Sequence, residues 1–562
     1  MNSIHQAAAR GDQDALARLL EEGGDVDLRD AGKTSLLVAC ESPDAGPDVI
    51  KLLLNYGADV GATCGGYGGE DLPLIALAVK STASCEKLRL LFERGADFKY
   101  RSSKGYSLMT WAACADRMDV IDLLLSLSAP MDGKSDHNES VLSVLSRMGR
   151  FGQIGKVLEH GADTAPLKWT ALHRAIALGT LRDVESLLEA GANPEVVENW
   201  ERTALLLAIH SGDTEKAALL LAWKANRNAT GRCAKPPTHY PLESDNVRMM
   251  RWLIEQGFDL NQEDEFGHTP LMEAAEKSAV ACFRLLVESG AVWIFNDEDI
   301  ISSASHPEIV GMLYERGDDL CRLHPAVLRN FIYLGSAPDL PVSREEFLQC
   351  RTRKFGTSNP ERMDNPFWMA MVRNGWSGYE AARQFDEDGA EEVDPVWSQQ
   401  RFGMSLTPLQ DGRFIQIAGE HEDHYDPDFC IYNDVFVHDG MGGFAIFGYP
   451  ENVFPPTDFH SATLVLPWIY IIGNLGYPAD RTDDTPVFRL HVNTLRVERV
   501  AVRGTSPGWI HGHRAEYVAG GIRLTGGNLL TNVTGGSGQI IARIATHFLD
   551  LDALSWRCEC DD

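Results

Sequence analysis

No stretch of this chain approaches the 18 consecutive apolar residues that a membrane-crossing helix needs, so no transmembrane segment is expected. The opening Met1-Asn2-Ser3-Ile4-His5-Gln6-Ala7 has neither the basic start nor the apolar centre of a secretory leader. Cysteine is scarce: 11 in 562 residues, an odd number, with no Cys-x-x-Cys spacing. That argues against a disulfide framework and for a reducing compartment, the cytoplasm. The one close pair, Cys558-Glu559-Cys560, lacks the further ligands of a metal site. Cations are short as well, 51 Lys and Arg against 81 Asp and Glu, for a formal net charge of −30. Such a field repels phosphate backbones and anionic membranes, which leaves nucleic acid and lipid outside the expected partners. It suits a basic protein partner, or simply a set of solvated helix faces.

Signatures of chemistry are also missing. Gly535-Gly536-Ser537-Gly538 has no Lys-Ser/Thr behind it and so is no phosphate loop. There is no Gly-x-Ser-x-Gly elbow and no helical His-Glu-x-x-His.

What the chain does have is repetition. Gly-Ala-Asp stands at 57–59, 95–97 and 161–163, with variants opening at Gly191, Gly257, Gly290 and Gly317. Each comes after a Leu-rich helical pattern, and Gly257 to Gly290 is 33 residues. A fixed period of this size means stacked copies of one helical unit, each covering its neighbour's apolar face. Thr170-Ala171-Leu172-His173 and Thr269-Pro270-Leu271-Met272 open the first helix of their units. Thr170 and Thr269 are expected caps, Pro270 sits in the first turn, and the glycine closes the second helix.

These segments resemble the ankyrin repeat. Lys33-Thr34-Ser35-Leu36-Leu37, Arg202-Thr203-Ala204-Leu205-Leu206 and, more loosely, Tyr106-Ser107-Leu108 extend the match. About ten repeats are expected over 1–320, with breaks at 61–72 and at Lys235-Pro236-Pro237. The resemblance implies a solenoid with a recognition groove and hairpin tips facing a protein or peptide partner. The position just before the motif threonine holds Lys33, Tyr106, Trp169, Arg202 and His268, taken as the partner-binding residues. His5 and His173 fall at the motif histidine, where the resemblance implies a structural hydrogen bond between repeats.

From 321 to 400 the period is lost. Ser343-x-x-Glu346 and Ser377-x-x-Glu380 read as capping boxes, and Phe367-Trp368-Met369-Ala370-Met371-Val372 as an aromatic-rich helix of a connector. The acidic run 386–394 reads as a solvated linker.

Beyond 401 the pattern changes to strands. Arg413–Gly419, Trp468–Gly473 and Gly521–Gly527 align at spacings of 54 and 53 residues. With His460-Ser461-Ala462 and His513-Arg514-Ala515 ahead of two of them, and Trp556 near the end, the region resembles kelch repeats. That implies three propeller blades over 401–560. Three blades fall short of a closed ring, so the connector or a weakly marked segment is expected to cover the open ends, or two chains to share a propeller.

One cluster is dense in metal-type ligands. His421, His424 and Asp426 lie after a second strand, and His460, His511 and His513 ahead of first strands. In kelch-like blades these would share one face, where a divalent transition metal could be held.

The expected fold is thus multidomain α + β: an ankyrin-type α-solenoid, a helical connector and a kelch-like all-β propeller-type module. The expected function is a protein–protein interaction scaffold or adaptor, monomeric or homodimeric, without a resident cofactor. Two other classes remain open: a metal-dependent enzyme using the kelch-like face, and an acidic inhibitor or immunity-type protein for a basic partner.

Overall fold

The computed structural model describes residues 3–30, 32–65, 71–131, 133–137, 139–294, 297–316, 318, 320–335, 337, 340–385, 395–421, 429–531, 539–541 and 545–559. The chain forms two compact units, Met1–Val292 and Trp293–Asp562.

In the first unit, short helices come in pairs, nine of them among the described residues, from Ser3–Arg10 with Gln13–Glu21 to Pro270–Glu276 with Val280–Glu288. Apolar residues surround the first helix of each pair. All seven residues of Ala204–His210 are buried, whereas Leu181–Glu189 buries only Val184 and Leu188. First helices therefore pack on first helices in series, as Ser3–Arg10 on Ser35–Glu41 and Leu74–Lys80 on Leu108–Cys114. Second helices do the same in a parallel row, as Gln13–Glu21 on Pro47–Asn55. Thr34, Ser84, Ser107, Ser140, Thr170, Thr203 and Thr269 all cap a helix through the side-chain oxygen. Gly191 (φ +86°) and Gly257 (φ +70°) turn the chain out of the second helix in a conformation that a Cβ would strain.

The two breaks seen in the sequence have physical outcomes. Thr63–Gly65 pairs with Asp71–Pro73 as a hairpin leading into Leu74–Lys80. At 237–244 a 3₁₀ helix replaces the first α-helix, because Pro236, Pro237 and Pro241 supply no backbone N–H. Its histidine survives: His239 Nε2 lies 3.1 Å from the carbonyl oxygen of His268. His5 Nε2 reaches the carbonyl of Lys33 at 3.0 Å in the same way, the bond between repeats expected for His5. His173 bonds within its own motif, its Nδ1 lying 3.2 Å from the Thr170 amide.

The second unit opens with helices Glu298–Ser303 and Pro307–Arg316. Sequence period places this pair in the solenoid; by contacts it groups with the connector and the strand region. The connector is helical, with capping boxes at Ser343 and Ser377. Its helix Pro366–Asn374 buries Phe367, Trp368 and Met371 against Trp397, Tyr432 and Phe436. Trp368 stacks on Trp397 at 4.7 Å, and the Trp397 indole N–H donates to Asp434 Oδ2 at 2.8 Å. The acidic linker 386–394 lies outside the described residues.

Three antiparallel meanders complete the unit. The first comprises Ser405–Pro408, Phe414–Ile417, Val435–His438 and Phe444–Gly448. The second comprises Ser461–Val465, Trp468–Ile472, Val487–His491 and Val497–Arg499, and the third Arg514–Val518, Gly521–Thr525, His547–Asp550 and Ser555–Cys558. The three aligned glycine-punctuated segments are each the second strand of a meander. Ser461–Val465 lies between Ser405–Pro408 and Arg514–Val518, so the first strands stand side by side. A connector strand, Glu361–Arg362, pairs with the outer edge of the first sheet, and the 3₁₀ turn Leu320–Arg322 packs against Ser405–Pro408. Trp509–His511, Asn528–Thr531 and Gln539–Ile541 make a separate small sheet. No closed barrel or propeller is found among the described residues.

Candidate interaction surface and histidine cluster

The five tip positions do not share one fate. Lys33 keeps its side chain in solvent, 47% exposed, with its ammonium 2.7 Å from Glu41. His268 is 41% exposed and stands beside Phe266, which at 67% is among the most exposed large apolar side chains of the unit. In both places the backbone carbonyl is held by a histidine of the preceding repeat, so the tip is fixed while its side chain points outward.

Tyr106 and Trp169 are half-buried. The Tyr106 hydroxyl donates to Glu139 Oε2 at 2.7 Å in the next repeat, and its ring leans on Trp111. Trp169 leans on Phe151 of the repeat before. Each thus touches a neighbouring repeat.

Arg202 corrects the sequence expectation outright, for it is only 1% exposed. Nε donates to Glu198 Oε1 at 2.9 Å and one Nη to the carbonyl of Ser146 at 2.8 Å, while the guanidinium also meets Ser146 Oγ and His210 Nδ1. The physical reason lies in the groups that surround it. Glu198, four residues earlier on the same hairpin, is itself buried and accepts from the amide of Trp200, so its charge draws the arginine inward. Arg202 thus fastens its repeat to the one carrying Val141–Arg147 instead of facing a partner.

His268 belongs to a cluster that the sequence did not suggest. His268, Glu273 and Glu276 bring one ligand atom each within 4.8 Å of one another, the one such group of three among the described residues. Lysines already answer the acids: Lys235 lies 3.6 Å from Glu273, and Lys277 lies 3.0 Å from Glu276. An ion there would have to displace them.

The histidines of the strand region serve as ties between meanders. His460 Nε2 lies 2.8 Å from Ser405 Oγ, and His513 Nε2 lies 2.9 Å from Ser461 Oγ. Each imidazole therefore joins the start of one meander to the first strand of the meander before. Burial pushes both rings down to about 3, so each is neutral and acts as hydrogen-bonding structure. His511 is buried with its ring edge-on to Phe459, and burial lowers it too. His421 is buried elsewhere, its Nδ1 3.2 Å from Ser398 Oγ. His424 and Asp426 lie outside the described residues. The four described histidines do not bring three ligand atoms within 4.8 Å of one another, and three of them each place one ring nitrogen against a serine hydroxyl.

Beside them is an acid pair. Burial first, and the charge of Asp458 second, push the Glu420 carboxyl up to about 8. Asp458 is fully buried, accepts from the Gly476 amide at 2.7 Å, and is raised by its burial. Two carboxyls so placed hold one proton between them at neutral pH.

Comparison with known proteins separates the two halves of the chain. The family model "Ankyrin repeats (3 copies)" matches residues 1–64 and, in overlapping stretches, 172–264, 205–297 and 238–322. The chain is 23% identical over 331 residues, 53% of its length, to the E3 ubiquitin-protein ligase KEG of Arabidopsis thaliana. It is 28% identical over 123 residues, 21% of its length, to a putative ankyrin repeat protein of Rickettsia felis. It is 33% identical over 87 residues, 14% of its length, to ankyrin repeat domain-containing protein 37 of Bos taurus. It spans 20%, 40% and 55% of these relatives in turn. Between 65 and 171, where the family model is silent, the structure continues the same helix pairs, with serine caps at Ser84, Ser107 and Ser140. The amino-terminal region of this chain is built of ankyrin repeats.

Proposed function

We propose that the chain is an interaction scaffold whose ankyrin repeats bind a protein or peptide partner along their hairpin tips. The observation that carries this reading is the pairing of a pinned backbone with an outward side chain at Lys33 and His268, next to the exposed Phe266. Preorganised tips lose little freedom on binding, and an exposed aromatic beside a polar group is the kind of contact that dominates interfaces. The net charge of −30 supports a basic partner. The cysteines support a reducing location such as the cytoplasm: the ten among the described residues are all free thiols.

We read the strand region as three kelch-like blades. Support comes from the meander order, the side-by-side first strands and the histidine-to-serine bonds that join consecutive meanders. The two covered flanks of the first sheet support a chain that works as a monomer.

The test is photocrosslinking from single sites in native lysate. A benzophenone side chain placed at 266 or 268 should capture a defined protein that one at 185, on the outer face of Leu181–Glu189, does not. Equal capture from all three sites would remove the tips from the reading.

A further inference from the structure

The second unit contains a half-open pocket of about 870 Å³ that neither the repeats nor the histidine bonds account for. Its walls come from five sources: helix Glu298–Ser303, the segment 321–329, the segment 399–404, the turns entering the second and third meanders at Phe459-His460 and Gly512-His513-Arg514, and the turn Thr525-Gly526-Gly527. The cavity therefore sits where the first strands of the meanders meet the helices.

Its charge runs against that of the molecule. Acids outnumber bases 81 to 51 in the chain, yet among the described residues the wall carries Arg322, Arg329, Arg401 and Arg514 against the single acid Glu298. Three of the arginines have carboxylate partners: Arg322 with Glu298, Arg401 with Asp434, and Arg514 with Glu516. Arg329 differs. It is 5% exposed, and among the described residues it meets only neutral acceptors. These are the carbonyls of Val372, Gly335 and Arg373, at 2.8, 2.6 and 2.9 Å, and the amide oxygen of Gln399 at 3.3 Å. Burial lowers its pKa. A buried guanidinium without a counter-charge makes the adjoining space favourable for an anion.

The rest of the lining suits an organic body. Leu328, Met404, Phe402 and Phe459 contribute apolar wall, and Phe402 is left 56% exposed. At Gly512 and Gly526 a Cβ would meet nothing within 4 Å, so backbone there borders open space. A pocket of this size, lined by apolar side chains and edged by a few charged groups, has the properties of a small-molecule site. A cleft with one sign of charge and low-dielectric walls concentrates the opposite sign, and arginine forks match carboxylate and phosphate oxygens in pairs.

The geometry points to a binding site for a small organic anion carrying two or more carboxylate or phosphate charges. Arg322 and Arg514 form its accessible rim, Arg329 supplies at depth a charge that no described carboxylate answers, and Phe402 lies against the ligand's carbon frame. The site is independent of the repeat tips, so it stands or falls apart from the scaffold reading.

Calorimetric titration of the full chain tests it, with citrate, inorganic phosphate and adenosine 5′-monophosphate as probes against chloride at matched ionic strength. At least one probe should bind saturably with a stoichiometry near one. The double variant R322A/R514A should weaken it about tenfold or more, and F402D, which puts a carboxylate at the mouth, should do the same. R489A, on the second meander and paired with Glu498, should leave binding unchanged. Preference for citrate assigns a carboxylate ligand; preference for phosphate or the nucleotide assigns a phosphoryl one. Absence of saturation by any probe up to about 10 mM, or equal binding by wild type, R322A/R514A and F402D, overturns the proposal.

Discussion

Replacing Arg202 with alanine should cost the first unit about 3–5 kcal/mol, far more than a hairpin-tip residue could. Glu198 is 3% exposed and would remain buried with a charge and no cation near it. The carbonyl and hydroxyl of Ser146 would lose their donors as well, since the same guanidinium serves both. Because the bonds join Val141–Arg147 to the hairpin before Ala204–His210, the damage should be regional. Urea unfolding monitored by far-UV circular dichroism gives the free energy. Amide hydrogen exchange on the folded protein should show lost protection in those two helices and little change in Ser3–Arg10. The double change R202M/E198Q removes both charges and should lose less than half as much, because an apolar replacement leaves no stranded ion. A loss under 1 kcal/mol for R202A, with exchange unchanged at 141–147, would refute the reasoning and return Arg202 to the surface.

The exposed and buried polar groups elsewhere carry four more expectations. K33A should change stability by less than about 0.5 kcal/mol, since its ion pair with Glu41 is solvent-exposed; chemical denaturation checks this. H460A and S405A should each destabilise the second unit by about 1–3 kcal/mol, and their double-mutant cycle should show coupling of about 0.5–1.5 kcal/mol. His460 and His513 are held down to about 3, below the ordinary imidazole value of 6.5. Unfolding lets both take up a proton, so their contribution is full above pH 6.5 and is lost as pH falls toward 3; H460N should flatten that limb of a melting-temperature profile. Glu420 acts in the opposite sense: held up to about 8, it favours the folded state below its usual 4.5, and this favour fades as pH rises through 8. E420Q should therefore melt higher than wild type at pH 9 and no higher at pH 4.5.

The repeat architecture was legible in the chain because each signal acts over a few residues. A threonine oxygen caps an amide two or three positions on, and a glycine turns the chain at its own φ. Those rules placed Thr170, Thr269 and Gly257 without knowledge of any neighbour. Even Pro237 was readable as a break, although not that His239 would keep the bond to His268 from a 3₁₀ helix. The strand alignment behaved the same way, since the spacing of 54 and 53 residues picked out the second strand of each meander.

The side-chain roles were a different matter. Lys33, Arg202 and His268 occupy one position of one motif, and nothing in the motif separates them. Arg202 turned inward because Glu198 and Ser146 wait there, one of them 56 residues away. His460 and His513 read as ligands when counted with their neighbours, and proved to be ties because the serines that hold them begin the preceding meander. The anion cavity could not be read at all, as its four arginines come from three separate segments between 322 and 514. Local chemistry along the chain determined where helices and strands start and stop. Which charges are answered, and which are left facing open space, was decided only when distant segments came together, because pairing depends on distance in three dimensions and not on separation along the chain.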